Sequence, residues 1–287
     1  LMHAVKKSKI KVLVMGHATN AKNFFASIIH KIGRKLYSHI GFKVSNNKHV
    51  TDFLYGRRTQ NVRYIESGID NSNFYFDQAK RDFYRTKLNV KDNDFVIGHV
   101  GRISKEKNQL FLLNTINKIK NNQHIKLFLF GNGNNKKLLS YIKKNDLKNV
   151  KLMGQIDEIY NYYNAMDLFV FPSLFESAGF ALYEALTNGL PAIISENVPT
   201  ENIDLSNVKI EKWTKYPPIL FLLIIYFHHL HQNLCNKIEK LSTDVWTQQI
   251  LNFYDSKSIK RATNLKACPS IEEQAQKFLE LYKELAK

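Results

Sequence analysis

Residues 95–133 read FVIGHVGRISKEKNQLFLLNTINKIKNNQHIKLFLFGNG. A β-rich run, 95–102, ends in Gly-Arg. A stretch with Leu110, Leu113, Ile116 and Ile119 at helical spacing follows, and then a second apolar run, 125–133, that ends in glycines. Strand, amphipathic helix, strand is the unit of a parallel sheet, because two strands running the same way need a crossover between them. The unit repeats downstream. NKKLLSYIKKN (135–145) predicts a helix, VKLMG (150–154) a strand, IDEIYNYYNAM (156–166) a short helix and LFVFPS (168–173) a strand. GFALYEALTNG (179–189) predicts a helix closed by Gly189, and PAIIS (191–195) a fifth strand. Strands buried on both faces, alternating with helices, predict an α/β fold with a Rossmann-like parallel sheet.

Ligands of such sheets bind beyond the carboxyl ends of the strands. Gly101-Arg102, Gly131-Asn-Gly133 and Phe175-Glu176 all fall at those ends. Arg102 and Lys107 flank a loop that leads into a helix, and two cations beside helix amides suit a diphosphate. The glycines at 131 and 133 let backbone approach a ligand, and a tight turn accounts for them equally well. ESAG (176–179) is small, and free N–H groups at the start of its helix can hold a phosphate oxygen. Glu184 lies about two turns into that helix and can share a cleft with Glu176. A carboxylate accepts hydrogen bonds in pairs, which suits the vicinal hydroxyls of ribose or a hexose. An exposed glutamate on a helix face fits the same spacing.

The net charge of the 287 residues is +17. It is unevenly placed: residues 1–65 hold thirteen Lys/Arg and a single acid, Asp52. Such a region fits a polyanionic partner or a merely solvated basic face. No nucleic-acid-binding module is legible, so nucleic acid is not an expected partner. Cys235 and Cys268 lack metal-ligand spacing and read as free thiols. The apolar run ILFLLIIYF (219–227) is shorter than the ~20 residues that span a bilayer. His228, His229 and His231 have no acidic or cysteine partner at ligand spacing. DND at 92–94 precedes a strand and reads as a polar turn. No metal is expected.

FPSLFESAGFALYEALTNGLPAIIS (171–195) resembles the E-x₇-E signature of family 4 glycosyltransferases, retaining enzymes of the GT-B fold. VIGHVGRISKEKNQLFLL, LFLFGNG and AMDLFVFPSLFES stand where that family has its nucleotide-binding domain. KVLVMGHATNAKNF resembles the acceptor-domain segment of the capsular and exopolysaccharide subgroup, and YIESGIDNSNF (64–74) resembles the interdomain segment, with Glu66-Ser67 replacing the usual Pro-Asn. The resemblance implies a metal-independent transfer of sugar from a nucleotide sugar, a UDP-sugar in that subgroup, to a saccharide or lipid-linked acceptor, with retention. No cofactor is implied beyond this donor substrate.

The resemblance also assigns roles. Glu184 would bind the ribose hydroxyls, and Glu176 would sit by the transferred sugar. Arg102 and Lys107 would neutralise the diphosphate, with Gly101, Gly131, Ser177 and the backbone of Ala178, Gly179 and Phe180 lining the donor site. His17 matches the acceptor-domain histidine near the sugar. The implied organisation is a partial amino-terminal domain at 1–66, a nucleotide-sugar domain at 67–269 with an atypical segment at 206–243, and a terminal crossover helix at 270–287. A full acceptor domain implies roughly a hundred further residues. The chain alone is therefore expected to bind donor more readily than to transfer sugar, and a binding fragment without turnover is the alternative reading. NFFASIIHKIGRKLYSHI (23–40) carries Phe24, Ile28, Ile32 and Leu36 at helical spacing among lysines and Arg34, which fits contact with an anionic membrane or a helix packed on the first domain. The implied location is cytoplasmic, at the inner face of the plasma membrane.

Overall fold

The structure, a computed structural model, describes residues 13–16, 42–56, 59–60, 62–200, 203, 208–211, 243–256, 261 and 269–286. Two parallel sheets follow one another along the chain. The first has the order β1-β2-β3, with β1 at Leu13–Gly16, β2 at Phe42–Ser45 and β3 at Val62–Tyr64. A short helix, α1 (Lys48–Leu54), follows β2 and is capped by Asn47, whose side chain accepts from the Val50 amide.

The second sheet has six strands: β4 (Phe95–Val100), β5 (Ile125–Phe130), β6 (Val150–Gly154), β7 (Leu168–Phe171), β8 (Ala192–Ser195) and β9 (Val208–Glu211). All its pairings are parallel, in the order β6-β5-β4-β7-β8-β9. Numbered within the sheet, that is 3-2-1-4-5-6, the doubly wound order whose reversal lies between its first and fourth strands. Here those strands are β4 and β7, paired at Ile97↔Leu168. The helix α2 (Gln78–Leu88) precedes β4, the helices between the strands are α3 (Gln109–Asn117), α4 (Lys136–Lys144), α5 (Ile159–Tyr163) and α6 (Phe180–Thr187), and α7 (243–255) and α8 (Ile271–Ala286) follow.

Strand residues alternate between two apolar layers, because successive side chains point to opposite faces. Val96, Phe128, Phe130, Phe169, Phe171 and Ile194 lie in one layer. Ile97, Leu127, Leu129, Leu168, Val170 and Ile193 lie in the other. The second layer is covered by α3 and by Trp246 of α7, which meets Phe111 edge-on at 5.4 Å. The expected α/β architecture with a Rossmann-like parallel sheet is therefore the observed one.

Details differ from expectation. Leu110 is exposed, and the buried face of α3 is Phe111, Leu112, Leu113 and Ile116. The segment read as atypical contributes β9, pairing Ala192↔Val208, as the sixth strand. The Asp92–Asp94 segment is the polar turn expected, closed by Asp94 N–H to the Lys91 carbonyl at 3.0 Å. The carboxy-terminal α8 packs on the first sheet: Leu281 clusters with Val44 and Ile65, and Arg63 pairs with Glu284 at 2.7 Å. His17, residues 23–40, 212–242 (with His228, His229, His231 and Cys235) and Cys268 lie outside the described residues.

Candidate functional site

The reversal of strand order parts the connections leaving β4 and β7, so a crevice opens at their carboxyl ends. Two loops frame it: 101–108 after β4 and 172–179 after β7. A backbone bond from Leu174 N–H to the Glu106 carbonyl, 2.7 Å, ties them together. Across that tie Lys107 Nζ reaches Glu176 Oε1 at 2.5 Å. The ammonium also lies 4.7 Å from the centroid of the Phe171 ring, close enough for a cation–π contact. Its stem runs over Gly101, where a Cβ would come within 3.3 Å of Lys107 Cδ. The glycine after β4 thus makes room for the lysine.

Glu184 sits on α6, partly covered. Its Oε2 accepts from the Tyr163 hydroxyl at 2.7 Å. Burial raises the Glu184 carboxyl above the usual range, against the Tyr163 hydrogen bond and the positive charge of Lys107. Burial likewise pushes the Tyr163 phenol well up, so it remains a donor. An exposed helix-face glutamate is excluded by this environment. One ammonium acts on both carboxylates that the sequence singled out. Arg102 is exposed, and its guanidinium makes no hydrogen bond or ion pair among the described residues.

The start of α6 supplies open donors. Gly179, its N-cap, has φ +75°, a left-handed conformation that favours glycine. The amides of Ala178, Gly179 and Phe180 find no acceptor among the described residues. The carbonyl of Ser177 accepts from Asn46 Nδ2 at 3.0 Å and from Asn47 Nδ2.

Beneath loop 101–108 a buried relay crosses from β7 to β4. His99 Nδ1 is 2.9 Å from the Val170 carbonyl, and Gln109 Nε2 is 3.2 Å from His99 Nε2. Gln109 also donates to the Arg102 carbonyl at 3.0 Å and accepts from Ser104 N–H at 3.3 Å. Burial lowers the His99 imidazole to about 4, so it stays neutral. A neutral ring with Nδ1–H donating to Val170 leaves Nε2 as acceptor for Gln109. Sequence reading passed over His99, Gln109, Tyr163, Asn46 and Asn47. The signal at His99 and Gln109 was a polar residue set within an apolar run.

Gly131 has a packing reason. A Cβ there, at φ +132°, would lie 2.1 Å from the Gly101 carbonyl oxygen. Its close backbone approach is to loop 101–103, sealed by Ile103 N–H to the Asn132 carbonyl at 2.8 Å. Gly131→Ala is expected to destabilise the fold by roughly 2–4 kcal/mol, from backbone strain plus a clash with backbone that has no rotamer to yield. Urea denaturation measures it, and an unchanged midpoint would contradict the close approach.

Of the expected site residues, the structure brings together Gly101, Arg102, Lys107, Glu176, Ser177, Ala178, Gly179, Phe180 and Glu184 around β4, β7 and α6. Gly131 stands behind loop 101–103, and His17 is outside the described residues.

A doubly wound domain with cations, carboxylates and open amides at its strand reversal has the layout of an α/β fold that takes ligands beyond its strand ends. Residues 80–203 match the model of the family Glycosyl transferases group 1. The chain is 33% identical over 152 residues to a UDP-Gal:alpha-D-GlcNAc-diphosphoundecaprenol alpha-1,3-galactosyltransferase of Escherichia coli, covering 51% of this chain and 39% of that protein. It is 30% identical over 182 residues to the capsular polysaccharide biosynthesis glycosyltransferase CapH of Staphylococcus aureus, covering 59% of this chain and 49% of CapH. The chain thus spans less than half the length of these curated relatives. Among solved structures, Anabaena Alr3699/HepE in complex with UDP superposes with a TM-score of 0.70 at 18% identity, covering 99% of this chain and 75% of that one. The fold is that of the GT-B glycosyltransferases, α/β with parallel sheets.

Proposed function

We propose that this chain binds a nucleotide-sugar donor, a UDP-sugar, and serves transfer of its glycosyl unit to a hydroxyl of a saccharide or lipid-linked acceptor in surface-polysaccharide assembly. The observation that carries the reading is Lys107, held between Glu176 and the Glu184 side of the crevice, beside an open helix start. The relatives support the class of reaction: one printed name specifies a UDP-sugar donor and a diphosphoundecaprenol acceptor, another capsular polysaccharide.

In this reading the bond from the sugar C1 to the β-phosphate breaks and the acceptor oxygen bonds to C1. The acceptor proton leaves with the diphosphate. Charge grows on the departing diphosphate, so fixed cations and N–H dipoles lower the barrier. Arg102 and Lys107 supply the cations, and Ala178, Gly179 and Phe180 the dipoles. Glu184 takes the ribose hydroxyls, and Glu176 faces the transferred sugar. Retention of configuration, independence of metal and a role for His17 at the acceptor belong to the same proposal. So do a first domain at 1–66, a donor domain at 67–269 and a crossover helix at 270–287. No helix of the described residues is long and apolar enough to cross a membrane. Contact of residues 23–40 with the anionic inner face of the plasma membrane is proposed for a lipid-linked acceptor.

Glu184→Gln tests the donor site, with two expected results of opposite sign. UDP binding weakens by about 1–3 kcal/mol, the range for losing a hydrogen bond to a charged group. Stability at neutral pH rises. A carboxyl whose folded pKa is raised favours the fold while protonated, and that contribution is lost as pH climbs through the raised value. The amide keeps an acceptor for Tyr163 and has no charge to desolvate. Calorimetry with UDP and urea denaturation at pH 7 read the two effects. Unchanged UDP affinity in the folded variant rules out the ribose role.

A further inference from the structure

Among the described residues, the segment after β2 meets the loop before α6 at Ser177. Asn46 and Asn47 follow the last residue of β2, and both side-chain amides donate to one carbonyl, that of Ser177. Both asparagines are buried. Two donors on one carbonyl fix the plane of the 177–178 peptide. No peptide bond here is cis, so within that unit the C=O and N–H point in opposite directions. With the Ser177 oxygen pulled toward β2, the Ala178 N–H is turned away from it. Ala178 is buried, and its amide has no acceptor among the described residues. A buried unpaired amide is costly and calls for a partner. The Asn46 Oδ1 is also buried and unpaired, so nothing on that side holds this carboxamide except Ser177.

We propose that Asn46 and Asn47 are positioning residues for the donor diphosphate: by holding the Ser177 carbonyl they aim the Ala178 amide at a phosphate oxygen. The proposal rests on the nucleotide-sugar reading above. Its content is that residues of the first sheet set the anion affinity of the second. Glu176 precedes Ser177 directly, so the same anchor also limits how far the Lys107–Glu176 pair can drift.

The test uses the full chain with Asn46→Ala and Asn47→Ser together. Serine keeps the N-cap of α1 and is too short to reach Ser177. Affinities for UDP, by calorimetry, and for uridine, by NMR titration, are compared, with thermal melting as a check on folding. The expected result is about a tenfold loss for UDP, the size of one charge-assisted hydrogen bond, with uridine affinity unchanged. A merely structural anchor would weaken both ligands alike, and that outcome overturns the proposal, as does an unchanged UDP affinity. If the double variant does not fold, Asn46→Ala alone, which leaves the α1 cap intact, is read by the same ratio. Wild-type protein that binds no UDP overturns the nucleotide-sugar reading and this proposal with it. Wild-type binding that Arg102→Ala abolishes, with the UDP-to-uridine ratio unmoved in the asparagine variants, sinks the proposal and leaves that reading standing.

Discussion

Lys107→Met is expected to lower kcat for release of UDP from the donor sugar by roughly 10²–10³-fold, the effect of removing one fixed group that stabilises transition-state charge. Methionine keeps an apolar stem over Gly101 and beside Phe171, so the loop retains its packing. The charge alone is deleted. Glu176, whose side chain is 8% exposed, is then left without its cation, and in the proposed site its charge would act on the diphosphate. Repulsion adds to the lost attraction, because both act on the same developing charge. Lys107→Arg is expected to recover only part of the rate, since the guanidinium is larger and the stem is already confined by Gly101 and the 172–179 loop. An unaltered kcat in a folded Lys107→Met chain would remove the lysine from the leaving-group role.

Much of this site was legible because it hangs on strand ends. An apolar run followed by glycine or a charged residue marks the exit from a buried strand, which singles out Gly101, Arg102 and Glu176, and Lys107 follows as the cation at the far end of the loop that leads into a helix. The groups that hold those residues were not legible. Tyr163 is one of three tyrosines in YNYYN, and only the packing of α5 against α6 selects it as the partner of Glu184. Asn46 and Asn47 lie some 130 residues from Ser177, and no local pattern joins them. The phase of α3 was misjudged at Leu110 for a related reason. The helix is buried by the sheet and by Trp246 of α7 together, so its apolar arc is wide and several phases fit the spacing. β9 escaped because VKIE is four residues long, alternates with charge and follows a segment without helical spacing. Its place is fixed by pairing with β8, a contact that local sequence does not announce.

Asp167→Asn is expected to destabilise the fold by about 3–5 kcal/mol, the range for breaking a buried ion pair by removing one partner. The residue stands just before β7. Its Oδ1 takes Arg81 at 2.5 Å, and its Oδ2 takes Arg85 at 3.2 Å and the Val96 amide at 2.7 Å. Its own amide donates to the Val96 carbonyl at 2.7 Å. One side chain therefore pins the start of β7 to the start of β4, the two strands whose far ends carry Lys107 and Glu176. Arg261 joins the cluster through the carbonyls of Asn164 and Met166, at 2.8 and 2.6 Å. Burial and then the charge of Arg81 disfavour its guanidinium, and Asp167 opposes them. Without the carboxylate, three guanidiniums would face one another with only carbonyl dipoles and, for Arg261, the Phe76 ring at 4.2 Å to offset them. The cost should therefore fall when one cation is deleted as well. Arg81→Met, chosen because Arg81 is the more exposed of the two direct partners, should make the double variant less unstable than the sum of the singles. Urea midpoints at constant slope measure the cycle. Additivity within about 0.5 kcal/mol would mean that the residues act independently, and the pinning of β4 to β7 would then have to come from the strand ladder alone.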